Sequence, residues 1–337
     1  MWSGSPARVS RPAALLLLAG ALVVVALLSL RVGSIPVTTA DALAALTDYD
    51  PDSYTQTVVR TMRLPRTVIG LGVGAALAVA GSAMQAATRN PLAEPSLLGV
   101  NAGASFAIVA AVYLGHMTHP LQYIWFAFAG ALGASVLVYG IASAGGGASP
   151  VKLALAGVII SALLGSWTTA LLLLNKETLE VVRFWLAGSL AGRSLNLLPP
   201  VVPFLAAGLL GALLLGRQLN TLSLGEDAAR SLGMHTGRMR AAVAGLVVLL
   251  AGSAVALAGP VGFVGLAVPH IVRAWVGSDY RWILPFSLLL GPALLLGADI
   301  LGRVLARPSE LQVGVVTALV GAPFLISMAR RRRVAER

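Results

Sequence analysis

Long apolar runs recur along almost the whole chain, and they leave it few ways to fold. The first, Pro12 to Leu30, contains no charged residue. Comparable runs give candidate spans at 12–31, 64–84, 93–113, 121–143, 151–174, 197–216, 238–258, 264–277, 282–304 and 311–329. Most approach the roughly 20 residues that a helix needs to cross a hydrocarbon layer. The eighth is too short to cross alone unless neighbouring helices bury its ends. The chain is 57% hydrophobic and 11% charged, whereas a soluble domain carries about a quarter charged residues. These runs predict an all-α polytopic membrane protein of about ten transmembrane helices. No linker or shift in composition divides it, so 1–337 reads as one domain. The first run follows Arg8 and Arg11 as a signal peptide would. It is long for that role and lacks a small-x-small cleavage site, so it reads as an uncleaved first helix.

The net charge of +11 would suggest nucleic acid for a soluble protein. Here arginines flank the spans and set their orientation. With the N-terminus inside and ten crossings, 15 of the 24 basic residues fall inside, including Arg330 to Arg333, and nine fall outside. The positive-inside rule therefore predicts cytoplasmic termini. The absence of cysteine excludes disulfides and thiolate metal sites, and four scattered histidines make no metal cluster. The polar stretch between 31 and 63 predicts a short surface helix and a turn. Segment 175–196 is amphipathic and predicts an element at an interface.

An internal repeat is visible. Gly74 to Gly81 reads GAALAVAG and Gly252 to Gly259 reads GSAVALAG, an offset of 178 that also matches Pro91 with Pro269 and Gly99 with Gly277. In the topology above the two copies run in opposite directions, which suggests an inverted transporter repeat. Chance likeness between Ala/Gly-rich helices is the alternative. Small residues such as Gly70 and Gly74 let helix backbones approach closely. The GLGVGAAL stretch is no nucleotide loop, since it lies inside an apolar helix without a preceding strand.

Three polar features stand out. LGEDAARSLG, within 222–234, is too polar to cross and is bracketed by Gly225 and Gly233. It predicts a short helix, with Ser223 as cap and Glu226 as its reciprocal partner. A stiff exposed helix suits docking of a soluble partner; a solvated loop with helical tendency is the bland alternative. RNPLAEP must turn sharply, because Pro91 and Pro95 forbid a continuous helix. Asp299 is an acid inside an apolar run, with Arg303 four residues on, so a structural ion pair is the first reading and substrate contact the second.

Taken together, RLPRTVIGLGVGAALAVAGSAMQ, TRNPLAEPSLLGVNAGAS, FWLAGSLAGR, LSLGEDAARSLG, GPVGFVGLAVPHIVR and VGVVTALVGAPFLI resemble the FecCD-type permeases of bacterial ABC importers. That family takes up ferric siderophores, haem and vitamin B12. The likeness runs in order from about residue 60 to 330 and is nearest to permeases of the ferric-enterobactin kind. It implies the type II ABC importer permease fold in a bacterial cytoplasmic (inner) membrane. The implied partners are a second permease subunit, two ATPase subunits, a substrate-binding protein and membrane lipid, with ferric siderophore as cargo. It implies that the chain is no enzyme and binds no cofactor, ATP and Mg being used by the ATPase. Consistent with this, the chain has no G-x-x-x-x-G-K-[ST], and its only lysines are Lys152 and Lys176.

Carried over residue by residue, the resemblance makes Arg63, Arg66 and Arg303 outward-facing residues that receive acidic side chains of the binding protein. Lipid snorkelling or helix capping is the competing use. Leu224, Gly225, Glu226, Asp227, Ala228, Arg230, Leu232 and Gly233 become the ATPase-coupling segment. Asn90 and Leu92 become candidates for a cytoplasmic gate, opposed by Pro150 across the dimer. Two rival readings are haem or cobalamin import on the same fold, and a proton-coupled secondary transporter using Asp299 as relay.

Overall fold

A computed structural model describes residues 10–144 and 149–323. Among these the regular structure is entirely helical. The helices are α1 (Arg11–Arg31), α2 (Thr39–Thr47), α3 (Tyr54–Val58), α4 (Leu64–Thr88), α5 (Val100–Gly115), α6 (Pro120–Ser143), α7 (Pro150–Leu174) and α8 (Lys176–Leu186). They continue with α9 (Val202–Leu214), α10 (Gly216–Ser223), α11 (Glu226–Ser231), α12 (Thr236–Ala258), α13 (Val264–Val276) and α14 (Tyr280–Leu305), followed by α15 (Val313–Pro323). Six helical stretches are long and apolar enough to cross a membrane, or seven if the pair α9 and α10, bent by 58°, counts as one span. Three more, α5, α13 and α15, are apolar but shorter. The C-terminal arginines used to argue orientation lie outside the described residues.

The bundle is organised around α4. Its apolar window is 83% buried, against 11% for the window in α1, where Leu16, Leu17, Leu27 and Leu28 face outward. Composition explains the difference. Gly74 backs onto the main chain of Gly291 and Pro292 in α14, and Gly81 onto Gly265 at the start of α13. Without a hydrophobic force between helices in lipid, close backbone contact is a principal source of attraction. Ser82 donates to Ala78 O at 2.9 Å, so at its 2.9 Å contact with Ser287 it is the acceptor, tying α4 to α14. Gly103 and Gly130 make the same kind of crossing between α5 and α6.

The repeat-related glycines have parted in use. Gly81 lies mid-helix at a crossing, whereas its match Gly259 ends α12 with a φ of 76°. Gly252, matched to Gly74, has only ordinary van der Waals neighbours.

Side-chain contacts give the helix directions. Arg11 at the start of α1 lies over Trp282 at the start of α14, with 5.9 Å from guanidinium carbon to ring centroid. Arg303 near the end of α14 donates to Ser29 near the end of α1. These helices are therefore parallel. Contacts of Arg66 with Asp299 and of Ser82 with Ser287 make α4 antiparallel to both. We call the end where α1 starts the near end and the opposite end the far end.

At 13 residues α13 is about 20 Å long, too short for a hydrocarbon layer of about 30 Å. The 259–263 connection from α12 therefore lies within the apolar layer, where every backbone group needs a protein partner. Ser189 N donates to Ala258 O at 2.8 Å, and Glu94 accepts from Phe263 N at 3.4 Å. Amphipathic α8 buries Thr178, Val182 and Trp185, and after it Gly188 O accepts from Gly314 N. The element expected at an interface thus leads back into the bundle, where it braces α12 and α15.

Candidate functional site

At the far end the structure corrects the expectation for the three arginines. Arg63, Arg66 and Arg303 are 5%, 7% and 1% exposed, and do not project outward. Arg63 Nη1 donates to Leu30 O at 3.0 Å and Arg31 O at 2.5 Å, and its Nη2 donates to Ile35 O. Arg303 Nη1 donates to Ser29 O at 2.8 Å and Val32 O at 2.7 Å. The reason lies in α1. The last carbonyls of a helix have no amide partner within it, and here arginines from α14 and the α4 entrance cap them. Helix capping, the competing use for these residues, is what Arg63 and Arg303 do.

Arg66 serves a different need. Its Nε lies 2.9 Å from both Asp299 oxygens, its Nη2 lies 2.7 Å from Oδ1, and its Nη1 donates to Glu310 Oε2 at 2.5 Å. Arg303 Nη2 reaches Asp299 Oδ2 at 2.9 Å. The expected i,i+4 pair is present, and Asp299 also holds Arg66 from 233 residues away. Asp299 is fully buried. Two guanidinium groups on one carboxylate leave it to structural work.

Beside this cluster lies a cavity of about 820 Å³ lined by Arg60, Arg63, Arg66, Arg193, Arg303 and Glu310, among others. Arg60 is exposed and lies over the Tyr49 ring at 4.4 Å. Arg193 Nε donates to Ser189 O at 3.2 Å. Five cations against one carboxylate make a concave positive surface that concentrates anions. Arg60 and Arg193 were not singled out in the sequence. Nothing in RTMR or AGRS marks them; only the packing of the α3–α4 entrance beside the 191–195 loop brings them together.

At the near end, α4 stops at Arg89, which takes a left-handed φ of 51°. Asn90 Oδ1 then accepts from Leu92 N at 2.9 Å, so the Asn90 amide holds the turn. The Leu92 side chain is 45% exposed. Pro150 opens α7; its side chain lies outside the described residues. Glu94, which sequence reasoning passed over, ties the same turn to the α12–α13 connection through Phe263 N. An acid between Ala93 and Pro95 in an otherwise apolar stretch was the available signal.

LGEDAARSLG folds as expected into a short helix, α11, but its cap differs. Ser223 Oγ donates to Asn220 O at 2.7 Å, and the N-cap is Gly225 at φ 116°. That backbone conformation is open to glycine alone, and it sets the entry of α11. Glu226 pairs with Arg230 at 2.5 Å and Arg240 at 3.1 Å. Chiefly through Arg240, its carboxyl is held below the usual carboxylate range. Ala229 anchors the helix, while Leu224 and Leu232 are 66% and 67% exposed at its two ends. The gate turn is next to it: a Cβ on Gly225 would stand 3.2 Å from Arg89 Nη1.

A family model for the FecCD transport family matches residues 21–331. The chain belongs to that family. The FecCD permeases it resembles include the ferric enterobactin transport system permease protein FepD of Escherichia coli strain K12. The two are 51% identical over 278 residues, covering 82% of this chain and 83% of FepD. The cobalamin import system permease protein BtuC of Halobacterium salinarum is 39% identical over 293 residues, 87% of this chain and 79% of its own. A solved inward-facing structure of a metal-chelate type ABC transporter superposes with a TM-score of 0.82 at 30% identity, covering 95% of this chain and 99% of that one. The turn at Arg89, α11 and the arginine cluster therefore sit within a FecCD permease, a multi-pass membrane protein and no enzyme.

Proposed function

We propose that this chain is the permease subunit of an ABC importer that carries ferric siderophore from a substrate-binding protein across the cytoplasmic membrane. The observation that carries the reading is the match to a ferric enterobactin permease at 51% identity over 82% of the chain. Vitamin B12 import is the second reading, supported by the likeness to a cobalamin permease at 39% identity. Basic residues orient the molecule: the near end, with Arg11, Arg217, Arg230, Arg238 and Arg240, faces the cytoplasm. The far end then faces outward. A second permease subunit completes the path, and of the two ATPase subunits, which use ATP and Mg, one docks on α11. The binding protein presents acidic side chains to the far-end cavity, where Arg60 and Arg193 join the buried Arg63, Arg66 and Arg303 as the positive background. Uptake by proteoliposomes holding permease, ATPase and binding protein should require ATP. Uptake driven by a proton gradient alone would reject the ABC reading.

Two predictions concern the cytoplasmic face. Replacing Leu224 and Leu232 with aspartate should abolish ATPase co-purification while the permease still folds, since both side chains face solvent. Reversing Glu226 to lysine should weaken it less, because the change acts through Arg230 and Arg240. Recovery of wild-type amounts of ATPase in all three would remove α11 from the interface. If Asn90, Leu92 and Pro150 narrow the path, Leu92→Cys should cross-link to a second identical subunit only when the gate is shut; the native chain has no cysteine. Cross-linking that ignores nucleotide would mean a static turn.

A further inference from the structure

The far-end cavity carries a carboxylate of its own. Glu310 comes from the connection between α14 and α15 and accepts from Arg66 Nη1 at 2.5 Å, while its side chain stays 30% exposed. Asp299, on the other edge of the same guanidinium, is fully enclosed and held by both Arg66 and Arg303. One carboxylate is fixed; the other sits at the open edge of the cavity. Counting Arg60, Arg63, Arg66, Arg193 and Arg303 against Glu310 and Asp299, the cluster keeps three positive charges in excess. Arg303 Nε is also a buried donor with no acceptor.

We propose that Glu310 is an internal stand-in for the binding protein's carboxylate. It occupies the outer edge of Arg66 in the undocked permease and yields that edge to an incoming acidic side chain. This rests on the docking reading above and adds its regulation. The physical reason is the cost of an unmet donor. Asp299 stays on the inner edge, but without Glu310 the Nη1 group of the buried Arg66 would have no acceptor, and an unsatisfied buried donor is destabilising. Exchanging one carboxylate for another on the same donors avoids that cost at both stages. It also makes docking reversible, because Glu310 competes for the edge and favours release. The remaining excess positive charge draws the incoming acid in despite the competitor.

The test is the affinity of the transport system's own binding protein for the permease in lipid nanodiscs, across a salt series. Glu310→Gln keeps the side chain's size and removes the competing charge. It should tighten docking about two- to five-fold, the size of one part-exposed ion pair, and steepen the salt dependence. Unchanged or weaker docking by a variant that melts like the wild type overturns the proposal. If Glu310→Gln does not fold, Glu310→Asp decides: one methylene shorter, it loses reach to Arg66 and should tighten docking, and no change overturns the idea. Arg60→Glu separates the two readings. If it weakens docking while the Glu310 variants do nothing, only the stand-in role fails. If it too leaves docking unchanged, the docking site itself is misplaced.

Discussion

Asp299→Ala should cost about 3–5 kcal/mol of stability, the penalty for leaving buried charge without its partner. Arg66 and Arg303 would both lose their enclosed carboxylate, and α4 and α14 would lose the ionic tie between their far ends. Thermal unfolding of the purified permease in detergent measures it. Asp299→Asn keeps the shape but not the charge and should also be strongly destabilising. Replacing Arg66, Asp299 and Arg303 together by apolar residues of similar volume should cost much less than the single change, because no charge is then stranded. Arg303 also caps α1, so that triple variant should still lose the contribution of its bonds to Ser29 and Val32. An Asp299→Ala protein that melts like the wild type would show that water reaches the cluster. It would also reopen Asp299 as the relay of a proton-coupled transporter.

Gly81→Val should prevent folding altogether. Even the first carbon of a side chain at this position would stand 1.8 Å from Gly265 O and 2.4 Å from Gly265 C. These are backbone atoms at the crossing of α4 and α13, so no rotamer change relieves the clash. Overpacking in a core that can adjust costs about 1–3 kcal/mol; this site cannot adjust without parting the two helices. Gly133→Ala is the control, since a Cβ there meets nothing within 4 Å. It should leave folding intact or stabilise α6 by up to about 1 kcal/mol, the helix propensity difference. Size-exclusion profile and melting temperature distinguish the two. Equal behaviour would mean that α4 and α13 cross less closely than described.

Sequence reasoning went furthest where the cause is local or near-local. Apolar runs located the helices because hydrophobic length is a property of consecutive residues. GEDAARS announced a short polar helix, and Asp299 announced Arg303, because both signals lie within one or two turns. The family likeness carried what composition could not, namely which transport class such a bundle serves.

What remained hidden depends on residues far apart in the chain. Whether an arginine at a helix entrance faces solvent or a carbonyl depends on what lies beside it. For Arg63 that is the end of α1, about 30 residues back, and for Arg303 it is neighbouring carbonyls of the same helix end, about 270 residues away. Glu94 gained its role only because the α12–α13 connection arrives at membrane depth with an amide to satisfy. Arg60, Arg193 and Glu310 became one cavity in the same way. Hydrophobic patterning alone thus determined that the chain is a helical membrane bundle, because desolvation acts residue by residue. Which polar groups meet inside it was decided by tertiary packing, because in an apolar medium each must find its partner wherever the fold brings one.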